Sequence, residues 1–271
     1  MALEADAAGR LGDDDVERYS RQLILDGVGE AGQHRLAAAS VLVVGAGALG
    51  SPVVQYLAAA GVGEIEIWDG DEVEPSNLNR QPLHTEGDLG QSKAQSAAAA
   101  GRRLNSSIRI TGVARMLTGD EMAKAVQGRA AVCDASDDFE TKFRLNDACL
   151  GAGVPLVHAA ILEFGGQLTT ITEDGPCLRC LFGEPPPDGE VPTCAQAGIL
   201  GPVAAVIGGM QAVEAMKLVL GVGDPLSGRL LVYDALRPRA RAIDFPRDPR
   251  CPAPHRLPAA DHPRASPQGD M

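Results

Sequence analysis

A glycine-rich turn that directly follows a short apolar run constrains the fold of this chain more than any other feature. The run Val41–Val44 precedes Gly45, Gly47 and Gly50, which have the spacing G-x-G-x-x-G, and apolar residues resume at Val53. Glycines let the backbone approach a phosphate, and a helix that begins there offers N–H groups and a positive end to an anion. The pattern predicts a nucleotide site. The alternative is that the glycines serve only tight packing of strand on helix.

Short apolar runs alternate with helical patterns through the first 160 residues. Strands are predicted near Val41–Val44, Glu64–Trp68, Ile108–Val113, Ala130–Cys133 and Pro155–His158, with helices near residues 13–26, 49–60, 92–104 and 139–151. This alternation is typical of an α/β fold with a Rossmann-like, doubly wound and mainly parallel sheet, whose ligand crevice lies at the carboxyl ends of the strands.

The rhythm changes after Ala159. Strands predicted near Leu168–Thr172 and Arg229–Tyr233 lack intervening helices of the earlier kind, so we expect antiparallel strands in the C-terminal half. Residues 183–198 are rich in Pro and Gly and predict a long loop, whereas residues 201–220 predict a buried apolar helix.

The overall charge argues against one class of function. The chain has 271 residues and a formal net charge of −12, which disfavours a nucleic-acid groove. The N-terminus lacks the basic start and apolar core of a signal peptide, and no uncharged apolar stretch is long enough to span a membrane. Six cysteines do not suggest a disulfide framework, so we expect a reduced, cytoplasmic protein.

Charged residues near the predicted sheet edge bear on which nucleotide binds. Asp69 ends the second predicted strand, where it can accept hydrogen bonds from a ribose, but the glycines and Asp69 together do not distinguish NAD from ATP. Arg80, in a polar loop, and Lys93, at the next helix start, favour phosphoryl or nucleotidyl transfer, because negative charge on the phosphates must be met by fixed cations. The alternatives are a solvated Arg and an ordinary helix-surface Lys.

Two further carboxylates follow the fourth predicted strand. Asp137 and Asp138 lie at the same sheet edge, where a carboxylate can bind Mg²⁺. The alternative is a cap for the helix that begins near Phe139. Both can hold, since the two residues need not share a role.

The motifs GAGALGSP, D-x-D-x-V-x-x-S-N-L-N-R-Q, G-Q-S-K and D-A-S-D-D-F-E-T-K resemble, in this order, those of the ThiF/MoeB family. The resemblance runs from about Arg18 to Arg250. Members of that family are relatives of the ubiquitin-activating enzyme, and they adenylate the C-terminal glycine of ubiquitin-like sulfur carriers. The resemblance therefore implies ATP and Mg²⁺ as cofactors, and as partner a small sulfur carrier that ends in Gly-Gly and serves molybdopterin, thiamine or related sulfur transfer.

The resemblance also implies roles for individual residues. Asp69 would hold the ATP ribose, and Asp137 would bind Mg²⁺. Arg21 matches a family arginine that reaches the active site of the other subunit of a homodimer, although a surface Arg on an amphipathic helix is the alternative. The residues that would contact the phosphates are Ser76, Asn77, Asn79, Arg80 and Lys93. The chain departs from the family at Asp138, where Asn is common, and at Lys142, where Arg is usual.

The cysteines carry a second part of the resemblance. Cys177 and Cys180 form a C-x-x-C like the first half of a family zinc site, for which structural zinc needs two further ligands. The family usually supplies a second C-x-x-C, but this chain has Cys251 followed by Pro254 and His255. Either His255 completes a Cys₃His site, or the site is lost and the first pair is a remnant.

A separate cysteine, Cys194, lies in the long loop where some family members form a covalent link during sulfur transfer. An exposed thiol near a helix N-terminus is a candidate for reactivity. The alternative is an unreactive loop cysteine, since adenylation needs no thiol.

These observations predict a single adenylation domain over residues 1–250. It would comprise a helical segment (13–38), a nucleotide-binding core (40–160) and a carrier-binding part with a crossover loop (161–250), before a disordered Pro-rich tail (251–271). We expect a homodimer and a separate protein as sulfur donor. The alternatives are an NAD(P)-dependent oxidoreductase and a non-catalytic carrier-binding subunit.

Overall fold

The computed structural model describes residues 11–187, 190, 194–237 and 239–255, without the side chains of residues 120, 194 and 195. The helices are α1 (Asp13–Leu23), α2 (Gly29–Ala38), α3 (Gly50–Ala60), α4 (Lys93–Leu104), α5 (Gly119–Val126), α6 (Phe139–Ala152), α7 (Leu178–Phe182), α8 (Cys194–Ala197) and α9 (Gly201–Leu220). The strands are β1 (Ser40–Val44), β2 (Glu64–Trp68), β3 (Arg109–Val113), β4 (Ala131–Asp134), β5 (Leu156–Leu162), β6 (Gly165–Ile171), β7 (Arg229–Asp234) and β8 (Arg239–Asp244).

The strands form one sheet in the order β3-β2-β1-β4-β5-β6-β7-β8. Neighbouring strands from β3 to β5 are parallel, and those from β5 to β8 are antiparallel. The strand order reverses between β1 and β4, which is where a doubly wound sheet opens its ligand crevice. The predicted fold class is confirmed, including the antiparallel strands of the C-terminal half.

Two strands differ from the prediction at the β5–β6 hairpin. β5 runs on to Leu162 instead of ending at His158, and β6 begins at Gly165 instead of Leu168. The hairpin closes at Glu163, which has a φ of +52°, a left-handed conformation that is uncommon for a residue with a side chain. Glycines at the start of β6 concealed the strand, because they have low β propensity.

The edge strand β8 was not predicted at all. Every residue of β8 is exposed, and its sequence alternates arginine with alanine before Ile243. A strand that lies at the edge and buries neither face has no apolar run to reveal it.

Helices cover the two faces of the sheet with separate cores. One core contains Val41 and Val43 with apolar residues of α3, α4 and α9, and the other contains Leu42 and Val44 with residues of α5 and α6. α9 is long and apolar enough to cross a membrane by length and composition, but half of that window is buried in the fold, where the helix packs on α3, β5 and β6.

Candidate functional site

A cavity of about 660 Å³ lies where the carboxyl ends of β1, β2, β4 and β5 meet. One end is polar and is lined by the glycine-rich turn and by charged side chains. The other end lies against β5, β6 and β7 and is lined mainly by apolar and small residues. Eight of the residues singled out in the sequence line it: Gly45, Gly47, Asp69, Arg80, Lys93, Asp137, Asp138 and Lys142.

The glycine-rich turn packs directly on the segment that follows β4. Gly45 has a φ of +99°, and a Cβ at this position would lie 2.5 Å from the carbonyl oxygen of Ala135. A side chain is therefore excluded on two grounds, conformation and space. Gly50 does not line the cavity; a Cβ there would overlap the carbonyl oxygen of Gly45, so this glycine serves close packing within the turn.

Ala46, inside the turn, is held from both sides. Its N–H donates to Asp69 Oδ2 at 2.7 Å, and its carbonyl oxygen accepts from His84 Nε2 at 2.9 Å. Because a carbonyl only accepts, His84 Nε2 carries the proton and Nδ1 accepts from the Ser96 hydroxyl at 2.8 Å. Burial raises the pKa of Asp69 and lowers the pKa of His84. The turn therefore has a fixed conformation before any ligand binds.

The two cations at the polar end are partly engaged by the protein. Lys93 begins α4, and its Nζ lies 2.8 Å from Asp71 Oδ2. The Lys93 side chain is 10% exposed and that of Asp71 is 66% exposed. Water can therefore solvate the Asp71 carboxylate when an anion binds the Lys93 ammonium in its place. Arg80 donates from Nη1 to the Ser76 carbonyl oxygen at 2.6 Å. Both side chains are positioned next to the glycine-rich turn rather than free in solvent.

The polar residues before Arg80 in this loop, Ser76, Asn77 and Asn79, do not line the cavity. Asn77 is buried and accepts from the Glu74 N–H at 3.0 Å, while Asn79 Nδ2 donates to the Ser76 carbonyl oxygen at 3.2 Å. These bonds shape the loop that carries Arg80. A Cβ on Gly201 would lie 2.6 Å from the Asn79 carbonyl oxygen, so the start of α9 packs against the same loop.

The carboxylates after β4 have different environments. Asp138 caps α6 by accepting from the Thr141 N–H at 2.7 Å, which is the alternative role that the sequence offered. Asp137 is exposed at the cavity wall, and no side-chain hydrogen bond to it is found within the described parts of the chain. Of the two, therefore, only Asp137 has a carboxylate that none of the described residues occupies.

Asp134, the last residue of β4, is fully buried and bonded to two basic side chains. His158 Nδ1 donates to Asp134 Oδ2 at 2.7 Å, and Lys142 Nζ lies 3.2 Å from the same oxygen. Burial alone would raise the pKa of Asp134, but the Lys142 charge and the His158 hydrogen bond outweigh it and hold the pKa at about 2. Of this ion pair, Lys142 lines the cavity and Asp134 does not.

Two further sequence-predicted residues are Arg21 and Cys194. Arg21 is exposed on α1 and does not line this cavity within its own chain. Cys194 begins α8, but its side chain is outside the described part of the chain.

A second site is formed by Cys177, Cys180, Cys251 and His255, whose ligand atoms all lie within 4.8 Å of one another. The Sγ–Sγ distances from Cys177 are 3.9 Å to Cys180 and 3.7 Å to Cys251. His255 Nε2 lies 3.5 Å from Cys180 Sγ and 3.3 Å from Cys251 Sγ. A tetrahedral zinc site requires about 3.8 Å between sulfurs and about 3.6 Å between sulfur and nitrogen, so the residues fit zinc. Of the five residues 251–255, predicted as part of a disordered tail, two thus belong to this cluster; residues 256–271 lie outside the described residues.

Several residues of the cavity were not found from the sequence. Trp68, Met116 and Leu117 give it an apolar wall. Behind the lining, His84 bonds to Ala46 in the glycine-rich turn, and His158 bonds to Asp134. A lone histidine has no local signal, because its partners are 12 to 38 residues away. Asp71, in contrast, had a local signal, because the D-x-D motif places it two residues after Asp69.

A Rossmann-like sheet with a glycine turn, fixed cations and a free carboxylate at its switch point defines a nucleotide-binding α/β protein. The chain matches the model of the ThiF family over residues 19–253 and belongs to that family.

Relatives of known name support this assignment. The chain is 48% identical over 252 residues to the SAMP-activating enzyme E1 of Haloferax volcanii, covering 93% of this chain and 91% of that protein. It is 47% identical over 245 residues to the sulfur carrier protein adenylyltransferase of Thermus thermophilus, covering 88% of this chain and 90% of that protein. Among solved structures, E. coli MccB with ATP has a TM-score of 0.74 at 19% identity, covering 90% of this chain and 82% of that one, a likeness of fold.

Proposed function

We propose that this protein adenylates the C-terminal glycine of a small ubiquitin-like sulfur carrier ending in Gly-Gly, with ATP as the nucleotide donor. Family membership and the names of two relatives, which match it over nine-tenths of their length, support this reaction class. The observation that carries the proposal is the single cavity in which Arg80, Lys93 and Asp137 face one space from three separate segments.

ATP fits the polar end of this cavity. The base would lie against the apolar wall of Trp68, Met116 and Leu117, and the ribose near Asp69. The phosphates would lie at the glycine-rich turn, where backbone N–H groups, Arg80 and Lys93 offset their charge. NAD would use the turn and Asp69 as well, but it would leave two cations without a function.

Magnesium fits Asp137. The ion prefers oxygen ligands and binds proteins through one or two carboxylates together with substrate phosphates. Asp137 offers a carboxylate with no competing bond among the described residues, whereas Asp138 is used as a helix cap. When bound, Mg²⁺ would neutralise charge on the phosphates.

The carrier tail fits the other end of the cavity. Gly165 and Gly166 on β6, with Pro185–Pro187 opposite in the lining, leave room for an extended chain without side chains. A Cβ on Gly166 would lie 2.5 Å from Ile207, a core residue outside the cavity lining, so this glycine is also required for close packing of β6 on α9. A tail with two glycines suits such a space better than one with larger residues.

The reaction follows from these positions. A carboxylate oxygen of the carrier's last glycine bonds to the α-phosphorus, the bond from that phosphorus to the bridging oxygen breaks, and pyrophosphate leaves with the electron pair. No proton transfer and no side-chain nucleophile are required. Arg80 and Lys93 offset the charge that develops on the phosphates, so positioning and electrostatics account for catalysis.

Carrier-dependent exchange of labelled pyrophosphate into ATP tests the proposal. We expect exchange only with a carrier that ends in Gly-Gly, and a loss of about 100-fold or more in Arg80→Ala, the size typical for removing one fixed donor at a developing charge. Lys124→Ala, on the exposed face of α5, is the control and should exchange normally. Absence of exchange with every carrier tested, together with NAD binding, would instead favour an oxidoreductase.

We also propose that the protein is a homodimer in which Arg21 of one subunit completes the site of the other. Arg21 is exposed and lies outside the cavity of its own chain. Arg21→Ala and Asp137→Asn should each be inactive alone. When the two proteins are dissociated and mixed, half of the re-formed dimers contain one subunit of each variant, and one of the two sites in such a dimer is intact. The mixture should therefore regain about a quarter of wild-type activity. If the mixture stays inactive, Arg21 does not act across a dimer.

The Cys/His cluster is proposed to hold a structural zinc ion. All four ligand positions are filled by protein, which is the arrangement of a structural site rather than a catalytic one. Burial raises the pKa of the Cys177 thiol to about 12, so this thiol is protonated without a cation, and zinc binding would release the proton.

Three further assignments remain proposals of narrower scope. A role for Cys194 in a covalent intermediate would be checked by mass spectrometry of the carrier complex with wild type and Cys194→Ala. The sulfur donor, expected to be a separate protein, would be identified by reconstituting thiocarboxylate formation. The cytoplasmic location would be checked by cell fractionation.

A further inference from the structure

Asp134 and Asp137 are three residues apart and have opposite environments. Asp134 is fully buried and carries hydrogen bonds from Lys142, His158 and Ser136. Asp137 is exposed at the cavity wall and has no such bond to any residue that the structure describes. The proposed metal ligand therefore has no contact of its own that would fix it, and its position depends on the turn that carries it.

Lys142 is the main support of that turn. Its Nζ lies 2.6 Å from the Ser136 carbonyl oxygen, 3.0 Å from the Ala159 carbonyl oxygen and 3.2 to 3.3 Å from the carboxylate of Asp134. An ammonium has three protons, so these acceptors use all of them. Since the residue is only 5% exposed, its charge is committed to the protein and is not offered to a substrate anion.

The turn is held at both ends. Ser136 donates its N–H and its hydroxyl to Asp134 Oδ1, at 3.2 and 2.6 Å, and accepts from Lys142 through its carbonyl oxygen. On the other side, Asp138 caps α6 through the Thr141 N–H. The residues before and after Asp137 are thus fixed, while the Asp137 side chain has no hydrogen bond to the described residues and is left for a ligand.

We propose that Lys142 is a positioning residue: by binding Asp134 and the Ser136 carbonyl together, it fixes the turn from which Asp137 presents its carboxylate to Mg²⁺ and ATP. This inference rests on the proposed function, because it takes Asp137 as the metal ligand. Groups that orient a metal ligand change metal affinity by about 10- to 100-fold when they are removed.

The test uses a double variant. Lys142→Met alone would leave a buried, unpaired Asp134, which destabilises the fold. Asp134→Asn with Lys142→Met removes both charges and keeps side chains of similar size. The matched control is Glu214→Gln with Lys217→Met, which removes another ion pair with a buried carboxylate, on α9 and outside the cavity lining.

Binding of ATP is measured against Mg²⁺ concentration. In the double variant we expect the Mg²⁺ concentration at half-saturation to rise by about tenfold or more, with metal-free ATP binding within about twofold of wild type. The control should keep the wild-type Mg²⁺ response. In the metal-free, ATP-free protein, amide hydrogen exchange over residues 135–138 should be faster in the double variant only.

Two single variants test the inference if the double variant does not fold. Ser136→Ala removes one hydrogen bond between the turn and Asp134, and it should raise the half-saturating Mg²⁺ concentration by about threefold. Lys142→Arg keeps the cation and its donors and should restore a response close to wild type. An unchanged response in Ser136→Ala, or a loss in Lys142→Arg as large as in the double variant, contradicts the inference.

The outcomes separate the inference from the proposed function. If wild type shows no Mg²⁺-dependent binding of ATP, or Asp137→Asn responds like wild type, both the metal site and the role of Lys142 are wrong. If Asp137→Asn loses the response and the double variant keeps it, only the role of Lys142 is wrong. An equal loss in the Glu214/Lys217 control would mean that the effect is general destabilisation.

Discussion

The cavity and the Cys/His cluster are built in opposite ways. In the cavity, Asp69 binds backbone N–H groups, Lys93 pairs with Asp71, and Lys142 pairs with Asp134. In the cluster, three thiols and an imidazole have mainly one another as neighbours, and the buried His255 Nδ1 has no hydrogen-bond partner within the described residues. The first site is therefore formed by the protein alone, whereas the second would be completed by the proposed zinc ion.

This difference has an energetic consequence. Preorganised dipoles and charges cost little rearrangement when a ligand binds, so the cavity favours fast and specific binding. At the cluster, binding of the proposed zinc ion would add its free energy to the stability of the fold. Changes to the two sites should thus affect different measurements, ligand binding for one and unfolding for the other.

The largest effect should come from breaking the cavity at Gly45. Gly45→Ala forces a side chain into a positive φ and against the Ala135 carbonyl, at a cost of about 3 kcal/mol or more in the free energy of unfolding. ATP binding should be lost as well, because the turn moves away from the segment that carries Asp137. Equilibrium unfolding in urea and ATP titration measure both effects.

A matched glycine gives the control for this variant. Gly209 lies within α9 and has open space around the Cβ position, so Gly209→Ala should be neutral or stabilise by about 0.5–1 kcal/mol. Equal behaviour of the two alanine variants would mean that the tight approach of the turn to Ala135 is unimportant.

An intermediate effect is expected at the cluster. Zinc-loaded wild type should contain one zinc per chain, and His255→Ala should lose most of it and unfold about 5–10 °C lower, as for a loss of a few kcal/mol in a chain of this size. ATP affinity should stay within about twofold in the folded protein. Metal analysis, thermal unfolding and ATP titration check the three statements.

Cys149 provides the control, since it is buried in the same core but is not a member of the cluster. Cys149→Ala should keep its zinc even if the melting temperature falls. If His255→Ala keeps full zinc content, the histidine is not a ligand. If the variant loses ATP binding together with its zinc, the two sites are not independent.

The sequence predicted the two sites unequally well. Gly45, Asp69, Arg80, Lys93 and Asp137 could be placed at one edge, because the carboxyl ends of parallel strands converge and each residue follows a recognisable strand or begins a helix. The bonds made by these residues could not be predicted: the partners of Ala46 are 23 and 38 residues away, and no local pattern indicates such contacts.

For the cluster, spacing suggested the ligands but left the fourth one open. His255 comes from a Pro-rich segment without periodicity, so only the folded chain shows that it lies within 3.5 Å of Cys180 Sγ. The Lys142–Asp134 pair was missed for a related reason. A lysine on a helix is usually exposed, and burial of its charge depends on a partner in another element.

The smallest expected effect concerns pH and the histidine behind the glycine turn. Burial lowers the pKa of His84 below its ordinary value of 6.5, so the unfolded chain takes up a proton at a higher pH than the folded protein does. The contribution of this group to stability is complete above pH 6.5 and is lost as pH falls toward the lowered pKa. Between pH 7.5 and 5.5 the stability lost through this group should amount to at most about 1.4 kcal/mol.

His84→Gln, measured in urea at both pH values with zinc present, should be less stable than wild type but lose less stability on acidification. A loss equal to that of wild type would mean that His84 is not neutral behind the turn, and that the cavity is less preformed than its hydrogen bonds indicate.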